Sequence, residues 1–131
     1  MSKRVWEPLG TLESSVMEII WARSEPMTAR EVCDRMTGER ERAYTTIMTT
    51  LDRLHRKGLL VRHRDGVAWR YAPALSRADF EKGLADGLAE EILQVHTEAA
   101  LAAFVDAAAR VDESLLDRLA SLIAERRRGR G

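Results

Sequence analysis

Apolar residues recur at three- and four-residue intervals near the start of the chain and predict two short helices. The first helix should begin near Thr11, whose hydroxyl can cap it. Thr28 and Glu31 have the spacing of a capping box, which predicts the start of a second helix. The second helix should end at Thr37-Gly38, because glycine suits the left-handed position that often follows a helix.

A third helix followed by a β-hairpin is predicted next along the chain. Residues 42–57 should form the helix, with Gly58 as its stop. Apolar residues 59–61 then begin a strand, and Asp65-Gly66 is a two-residue turn of the kind that favours hairpins. The side chains expected to pack the hairpin against a core are Val61, Trp69 and Tyr71.

The apolar spacing from Ser76 onwards predicts three further helices, with breaks near Thr97 and Val111. Three such helices cannot bury all of their leucines alone, so we expect a second copy of the chain to complete this core. The basic tail, residues 126–130, should be frayed and should add weak attraction to DNA. The residues expected at the dimer interface are Phe80, Leu84, Leu88, Ile92, Leu101, Phe104, Val105, Leu115, Leu116, Leu119, Leu122 and Ile123.

The order helix, helix, helix, hairpin is that of a winged helix-turn-helix domain. The predicted fold is therefore mainly α with a small β-hairpin wing. The winged helix should span residues 1–75, and a helical dimerisation domain with the basic tail should span residues 76–131. The sequence A-P-A-L at residues 72–75 is the expected boundary.

The formal net charge of zero conceals a strong asymmetry along the chain. Residues 40–70 carry eight basic and three acidic side chains, a net charge of +5. Residues 76–124 carry four basic and ten acidic side chains, a net charge of −6. A polyanion can therefore bind the middle of the chain, while the C-terminal part repels it.

The basic middle of the chain also has the chemistry of a contact surface for double-stranded DNA. In a helix-turn-helix, the N-terminal half of the second helix lies in the major groove. Threonine hydroxyls can hydrogen-bond base edges, methyl groups can contact thymine, and basic side chains can contact phosphates. The residues predicted to bind DNA are Thr45, Thr46, Met48, Thr49, Arg53, Arg56 and Lys57 on the helix and Arg62, Arg64 and Arg70 on the hairpin.

Several other classes of protein are not indicated by the sequence. Cys33 is the single cysteine and excludes an internal disulfide, and the three histidines are too scattered for a zinc site, so no metal or cofactor is expected. We find no nucleophile elbow, phosphate loop or catalytic constellation, so the chain is not expected to be an enzyme. No apolar run approaches the ~18 residues that cross a bilayer, and the first residues lack a signal-peptide core, so we expect a cytoplasmic protein without direct membrane association.

Two other functions stay open at this point. The winged helix could serve protein contacts, with the acidic helices as an assembly surface, and such a module would lack salt-dependent affinity for DNA. Alternatively, the chain could be a one-component regulator with a small-molecule pocket between the winged helix and the leucine-rich helices. Thermal shifts induced by a ligand would reveal that function.

Four motifs in order resemble the penicillinase repressor family of the BlaI/MecI/CopY type. They are L-G-x-L-E-x-x-V-M-E-I-I-W at residues 9–21, T-A-R-E-V at 28–32, Y-T-T-I-M-T-T-L-D-R-L-x-R-K-G-L-L at 44–60, and W-R-Y-A-P at 69–73. The C-terminal part agrees in helical character and length. The resemblance implies a homodimeric transcriptional repressor that binds a dyad operator and blocks promoters of antibiotic-resistance or homeostasis genes.

The resemblance also bears on individual DNA-binding residues. Thr46, Thr49 and Arg53 occupy positions at which recognition helices of this family contact DNA. Thr45 and Met48 replace basic residues that some members have, so the operator sequence does not carry over.

Release from DNA is a further implication of the resemblance. Penicillinase repressors are inactivated by cleavage before a phenylalanine in the C-terminal helices, and Ala103-Phe104 lies in a comparable place. Such cleavage would require a membrane sensor protease as a partner. The asparagine that precedes this bond in well-known members is absent. The cysteine cluster of the copper-responsive branch is absent as well, which argues against metal sensing.

Overall fold

Residues 6–36, 42–95 and 97–130 are described by this computed structural model, and they form six helices and three strands. The chain divides into two compact units, Met1–Ala85 and Asp86–Gly131. In chain order the elements are α1 (Thr11–Trp21), β1 (Met27–Thr28), α2 (Ala29–Arg35), α3 (Tyr44–Arg56), β2 (Leu60–Asp65), β3 (Ala68–Pro73), α4 (Arg77–Val95), α5 (Glu98–Val111) and α6 (Ser114–Arg130).

The hydrophobic core of the first unit lies between α1, α2, α3 and a three-stranded antiparallel sheet of order β1-β3-β2. Each side chain that is fully removed from water there stabilises the fold by about 2 kcal/mol. This core fixes α3 against the sheet and leaves the opposite face of α3 exposed. The buried side chains are Val16, Met17, Ile20, Met27, Ala29, Val32, Met36, Ile47, Leu51, Leu54, Leu59, Leu60, Tyr71 and Phe80.

The start of α2 is the predicted capping box. The backbone N–H of Glu31 donates to Thr28 Oγ1 at 3.2 Å, and the backbone N–H of Thr28 donates to Glu31 Oε1 at 2.8 Å. The last helical residue is Arg35, and the predicted stop at Thr37-Gly38 lies outside the described residues. Local spacing in the sequence was sufficient here because both partners of the cap lie within one helical turn.

The start of α1 differs from its prediction by one residue. Gly10, rather than Thr11, is the N-cap residue, and its backbone N–H donates to Glu13 Oε1 at 3.1 Å. Thr11 is the first residue of the helix itself. The Glu13 carboxylate thus accepts from the backbone N–H of the N-cap residue, and no side-chain hydroxyl caps α1.

The hairpin forms as predicted, but its turn is shifted. Asp65 pairs with Ala68, so the two-residue loop is Gly66-Val67 and not Asp65-Gly66. Gly66 has a φ of 68°, a conformation that glycine adopts without steric cost. Val61 is 52% exposed and does not pack the hairpin down, because Leu60 takes the inward position at the start of β2 and neighbouring side chains alternate between faces.

The first turns of α4 pack into the first unit. Phe80 is buried, and its ring lies 6.0 Å from Trp6 and 5.6 Å from Trp21 between centroids. Trp21 Nε1 also donates to the backbone oxygen of Leu75 at 3.0 Å. Phe80 therefore belongs to the core of the first unit and not to the exposed dimer surface to which the sequence analysis assigned it. The same contacts explain why the first unit extends to Ala85, beyond the boundary expected at residue 75.

The second unit contains the end of α4, then α5 and α6. Its two helix breaks lie near Thr97 and Val111, as predicted, and the Thr97 hydroxyl caps α5 by accepting from the backbone N–H of Ala100 at 3.0 Å. The basic tail is not frayed, because α6 continues to Arg130. None of the described residues from Asp86 onwards is buried.

Candidate nucleic-acid interface

One face of α3 gathers hydroxyl, methyl and guanidinium groups. Helical spacing turns the apolar residues into the core, where Ile47, Leu51 and Leu54 are fully buried. The opposite face is exposed and extends along the whole helix. It contains Thr45, Thr46, Met48, Thr49, Arg53 and Arg56, all of which the sequence predicted for DNA binding.

The threonine hydroxyls of α3 are oriented by the helix backbone. Thr49 Oγ1 donates to the backbone oxygen of Thr45 at 2.9 Å, and Thr50 Oγ1 donates to that of Thr46 at 2.8 Å. Thr50 is buried, whereas Thr49 is exposed. Because its proton is engaged, the Thr49 hydroxyl presents lone pairs outward, and these can accept from an amino group such as adenine N6 or cytosine N4.

Arg53 and Arg56 differ in their charge environment. Arg53 is exposed and forms no ion pair with a described carboxylate. Arg56 pairs with Asp52 at 3.0 Å, one turn earlier on α3, although its side chain is 78% exposed. An exposed pair of this kind contributes little to stability, so Arg56 can exchange its carboxylate for a phosphate.

Lys57 is exposed but is paired with a buried carboxylate of α1. Its Nζ donates to both carboxylate oxygens of Glu13, at 3.1 and 2.9 Å, and so joins the end of α3 to the start of α1. Burial raises the pKa of Glu13, but the hydrogen bonds from Lys57 and Gly10 outweigh it and bring the pKa below its ordinary value. Lys57 thus has a structural partner that sequence spacing did not reveal.

Arg70 is also held by carboxylates. Its Nε donates to Asp65 at 2.6 Å, and its NH1 lies 3.4 Å from Glu31 on α2. The hydrogen bond to Asp65 raises the pKa of Arg70, and the backbone N–H of Thr28 lowers the pKa of Glu31, with Arg70 adding to that effect. Arg70 therefore ties the wing to α2, which leaves it less available for DNA than its sequence position suggested.

Arg62 and Arg64 lie on the other face of the hairpin, next to α3. Their guanidinium carbons lie 4.5 and 4.6 Å from the centre of the Trp69 ring, within the range of a cation–π contact. Arg62 also pairs with Asp52 of α3 at 3.2 Å. The exposed face of α3 thus continues into the wing, and we call the two together the α3–wing surface.

Arg30 is a residue that the sequence analysis did not single out for this surface. It is exposed near the start of α2, and its guanidinium carbon lies 4.3 Å from the ring centre of Tyr44, the first residue of α3. A basic side chain two positions after the Thr28 cap was the available signal, but the stacking on Tyr44 depends on how α2 and α3 pack.

Two further features were considered in the described parts of the chain, a metal-binding cluster and a membrane-spanning helix. Within the described ranges, no group of three or more His, Cys, Asp or Glu side chains is arranged to hold a metal ion. The Cys33 thiol lies 3.7 Å from the backbone oxygen of Arg42. Among the described residues, each helix is too short or too polar to cross a membrane.

Comparison with known proteins gives matches along most of the chain. The penicillinase repressor family matches residues 9–125. A transcriptional regulator BlaI from Mycobacterium tuberculosis (strain CDC 1551 / Oshkosh) is 41% identical over 124 residues, which cover 94% of this chain and 88% of that protein.

Two solved structures are similar to the first part of the chain. The solution structure of the DNA binding domain of the repressor BlaI matches with a TM-score of 0.50 at 28% identity, over 59% of this chain and 93% of that one. The monomeric form of Bacillus licheniformis BlaI in complex with the blaP half-operator matches with a TM-score of 0.47 at 30% identity, over 56% and 88% of the two chains. The first of these likenesses confirms the predicted winged-helix fold.

Proposed function

The chain belongs to the penicillinase repressor family of transcriptional regulators, and we propose that it is a homodimeric repressor that binds operator DNA through the α3–wing surface. Proteins of this family act by binding and not by catalysis, as the sequence analysis expected. The solution structure of a DNA binding domain that resembles the first unit supports a role for this unit in DNA binding.

The observation that carries the proposal is the composition of the α3–wing surface. The exposed face of α3 offers hydroxyl and methyl groups for base edges, and the neighbouring arginines offer positive charge for phosphates. Arg53 and Arg64 form no ion pair with a described carboxylate, so their charge is available to a polyanion. Arg56 and Arg62 share Asp52, and Lys57 and Arg70 serve mainly to hold the surface in place.

Homodimerisation is supported by the exposed apolar side chains of the second unit. Phe104 is 46% exposed and Leu122 is 60% exposed, and the other described residues of α5 and α6 are no better covered than half-buried. Exposed apolar surface of this extent on a single chain is typical of a surface that an obligate partner covers. Leu88, Ile92, Leu101, Val105, Leu115, Leu116, Leu119 and Ile123 remain the proposed interface, together with Leu84, which also packs on the core of the first unit.

A dimer of this kind would recognise an operator with two-fold symmetry. Two copies of α3 would enter successive major grooves about 34 Å apart, and the bound protein would block the promoter sterically. Because the two half-sites are bound by one dimer, the second contact benefits from a high effective concentration. Loss of the dimer would then release the DNA.

We further propose proteolysis as a route of release. The peptide bond between Ala103 and Phe104 lies inside α5, and both side chains are exposed. Proteases cut most readily in flexible segments, so cleavage here requires α5 to open locally. A cut at this bond would divide the interface and separate the two copies.

Footprinting on the promoter DNA upstream of the protein's own gene tests the proposed function. The proposal expects a sequence-specific shift in a gel and a protected region with two-fold symmetry. Weak, non-specific binding to DNA would instead favour a winged helix that serves protein contacts.

A further inference from the structure

Asp52 joins the exposed face of α3 to the wing through an ion pair. Its Oδ1 accepts from Arg62 NH1 of β2 at 3.2 Å, while its Oδ2 lies 3.0 Å from Arg56 NH2 on its own helix. An acidic side chain on a surface for DNA is unfavourable by itself, because it repels phosphates. Its two arginine partners suggest a different role.

The strand register explains why Arg62 and Arg64 meet the same ring. Arg64 is paired with Trp69 across the hairpin, and Arg62 is two positions before Arg64, so all three side chains lie on one face of the sheet. The Trp69 ring is half-buried, and its centre lies 4.5 Å from the guanidinium carbon of Arg62 and 4.6 Å from that of Arg64. Asp52, Arg62, Trp69 and Arg64 therefore form a continuous row from α3 to the outer part of the wing.

The charges along this row are unequal. The Asp52 carboxylate compensates Arg62, which is only 23% exposed at its side chain. Arg64 is exposed and forms no ion pair with a described carboxylate. It is held instead by the face of Trp69 and by a hydrogen bond from its NH1 to the backbone oxygen of Val67 at 3.0 Å. An exposed cation that is fixed before binding loses little conformational entropy when it meets a ligand.

We propose that Asp52 is a positioning residue that locks the wing to α3 through Arg62 and Trp69, so that Arg64 is presented to the DNA backbone in the same frame as the threonines of α3. This inference rests on the proposed function, since it names the wing residue that contacts DNA and the residue that places it. Asp52 itself need not touch the DNA.

The substitution Asp52→Asn separates this role from simple electrostatics, because the two predict opposite signs. Asparagine removes the negative charge and with it the ion pairs of Asp52 with Arg62 and Arg56, so electrostatics alone would strengthen binding. A positioning role predicts binding that is about fivefold weaker at matched salt, as the wing loses its fixed geometry. Asp79→Asn, an exposed aspartate on α4, is the matched charge control and should leave the affinity unchanged.

A double-mutant cycle with Arg64→Ala completes the test, measured by fluorescence anisotropy on the operator. Arg64→Ala should lower the slope of log Kd against log salt by about 1, the value for one lost phosphate contact. In the Arg64→Ala background, Asp52→Asn should weaken binding little further. Asp52→Glu should bind the operator more tightly than Asp52→Asn does, because glutamate keeps a carboxylate at this position. The NMR signals of the Trp69 indole should shift in Asp52→Asn without DNA, while circular dichroism shows an intact fold.

The inference would be overturned if Asp52→Asn bound the operator as tightly as the wild type, or more tightly. It would also be overturned if Asp52→Asn lowered the affinity equally in the wild-type and Arg64→Ala backgrounds. Either result leaves the proposed function intact, because the wild-type protein still binds the operator. Failure of the wild-type protein to bind specifically would instead remove the proposed function itself.

Discussion

Arg53 is the α3 arginine whose charge is least compensated by the protein. It projects from the exposed face and forms no ion pair with a described carboxylate, although its charge helps to lower the pKa of Glu13, whereas Arg56 pairs with Asp52. Arg53→Ala should therefore weaken operator binding by about fivefold or more, with little change in the unfolding temperature. Fluorescence anisotropy at matched salt measures the affinity, and Arg110→Ala on α5 is the control. Unchanged affinity would remove Arg53 from the site.

Glu13 makes a pH-dependent contribution to stability. Its folded-state pKa lies below the ordinary value of 4.5, because the hydrogen bonds from Lys57 and Gly10 outweigh the effect of burial. The carboxylate therefore stabilises the folded state above that ordinary value, and this contribution is lost as the pH falls through the folded-state pKa. Glu13→Gln should lower the free energy of unfolding by about 1 kcal/mol at pH 7.

Urea denaturation of wild type and Glu13→Gln at several pH values checks this. The difference in the free energy of unfolding should shrink towards zero as the pH drops below 4.5. The exposed Glu7→Gln provides the control for a general loss of charge. A difference that stays constant across pH would mean that the Glu13–Lys57 pair is not its source.

The exposure and the partners of individual residues were predictable to the extent that they depend on local spacing. The helical period alone identified the exposed face of α3, because Ile47, Leu51 and Leu54 had to face the core. The ion pairs of Lys57 with Glu13 and of Arg70 with Glu31 could not be predicted in the same way. Glu13 is 44 positions from Lys57 and Glu31 is 39 positions from Arg70, so only the packed fold brings the charges together.

At the level of elements, the hairpin turn depends on one backbone conformation. Gly66 has a φ of 68° and open space where a Cβ would lie, so a substitution there meets conformational strain and no clash. Gly66→Ala should destabilise the first unit by about 1 kcal/mol. Gly129, on α6, also has open space around it but carries no such φ, so Gly129→Ala should be neutral or stabilising. Equal effects in thermal unfolding would contradict this account.

The elements themselves were largely predictable from the sequence, and their exact edges were not. The capping box of α2 and the breaks around α5 follow from local chemistry. Three predictions were wrong. The turn is Gly66-Val67 and not Asp65-Gly66, Val61 points outward and not into the core, and residues 126–130 are helical and not frayed. Strand register sets the first two, and it is decided by which residue, Leu60 or Val61, reaches the core.

At the scale of the whole molecule, a single chain leaves the apolar side chains of the second unit exposed, so we expect this unit to need a second copy for stability. Sedimentation at micromolar concentration should find a dimer. Leu122→Glu places a charge on the apolar surface of α6 and should shift the equilibrium from dimer towards monomer. Operator binding should weaken as a result, because a monomer contacts one half-site. Val67→Glu, at a wing position that is 94% exposed, should leave the dimer intact. A wild-type monomer would exclude the proposed interface.

The affinity of the purified protein for its own promoter DNA, measured across a salt series beside a scrambled duplex, tests the central claim most directly. The account predicts much tighter binding to the promoter, with log Kd rising steeply with log salt as several phosphate contacts release counterions. Equal and weak affinity for both duplexes, or an affinity that salt does not change, would contradict a repressor that binds its operator through the α3–wing surface.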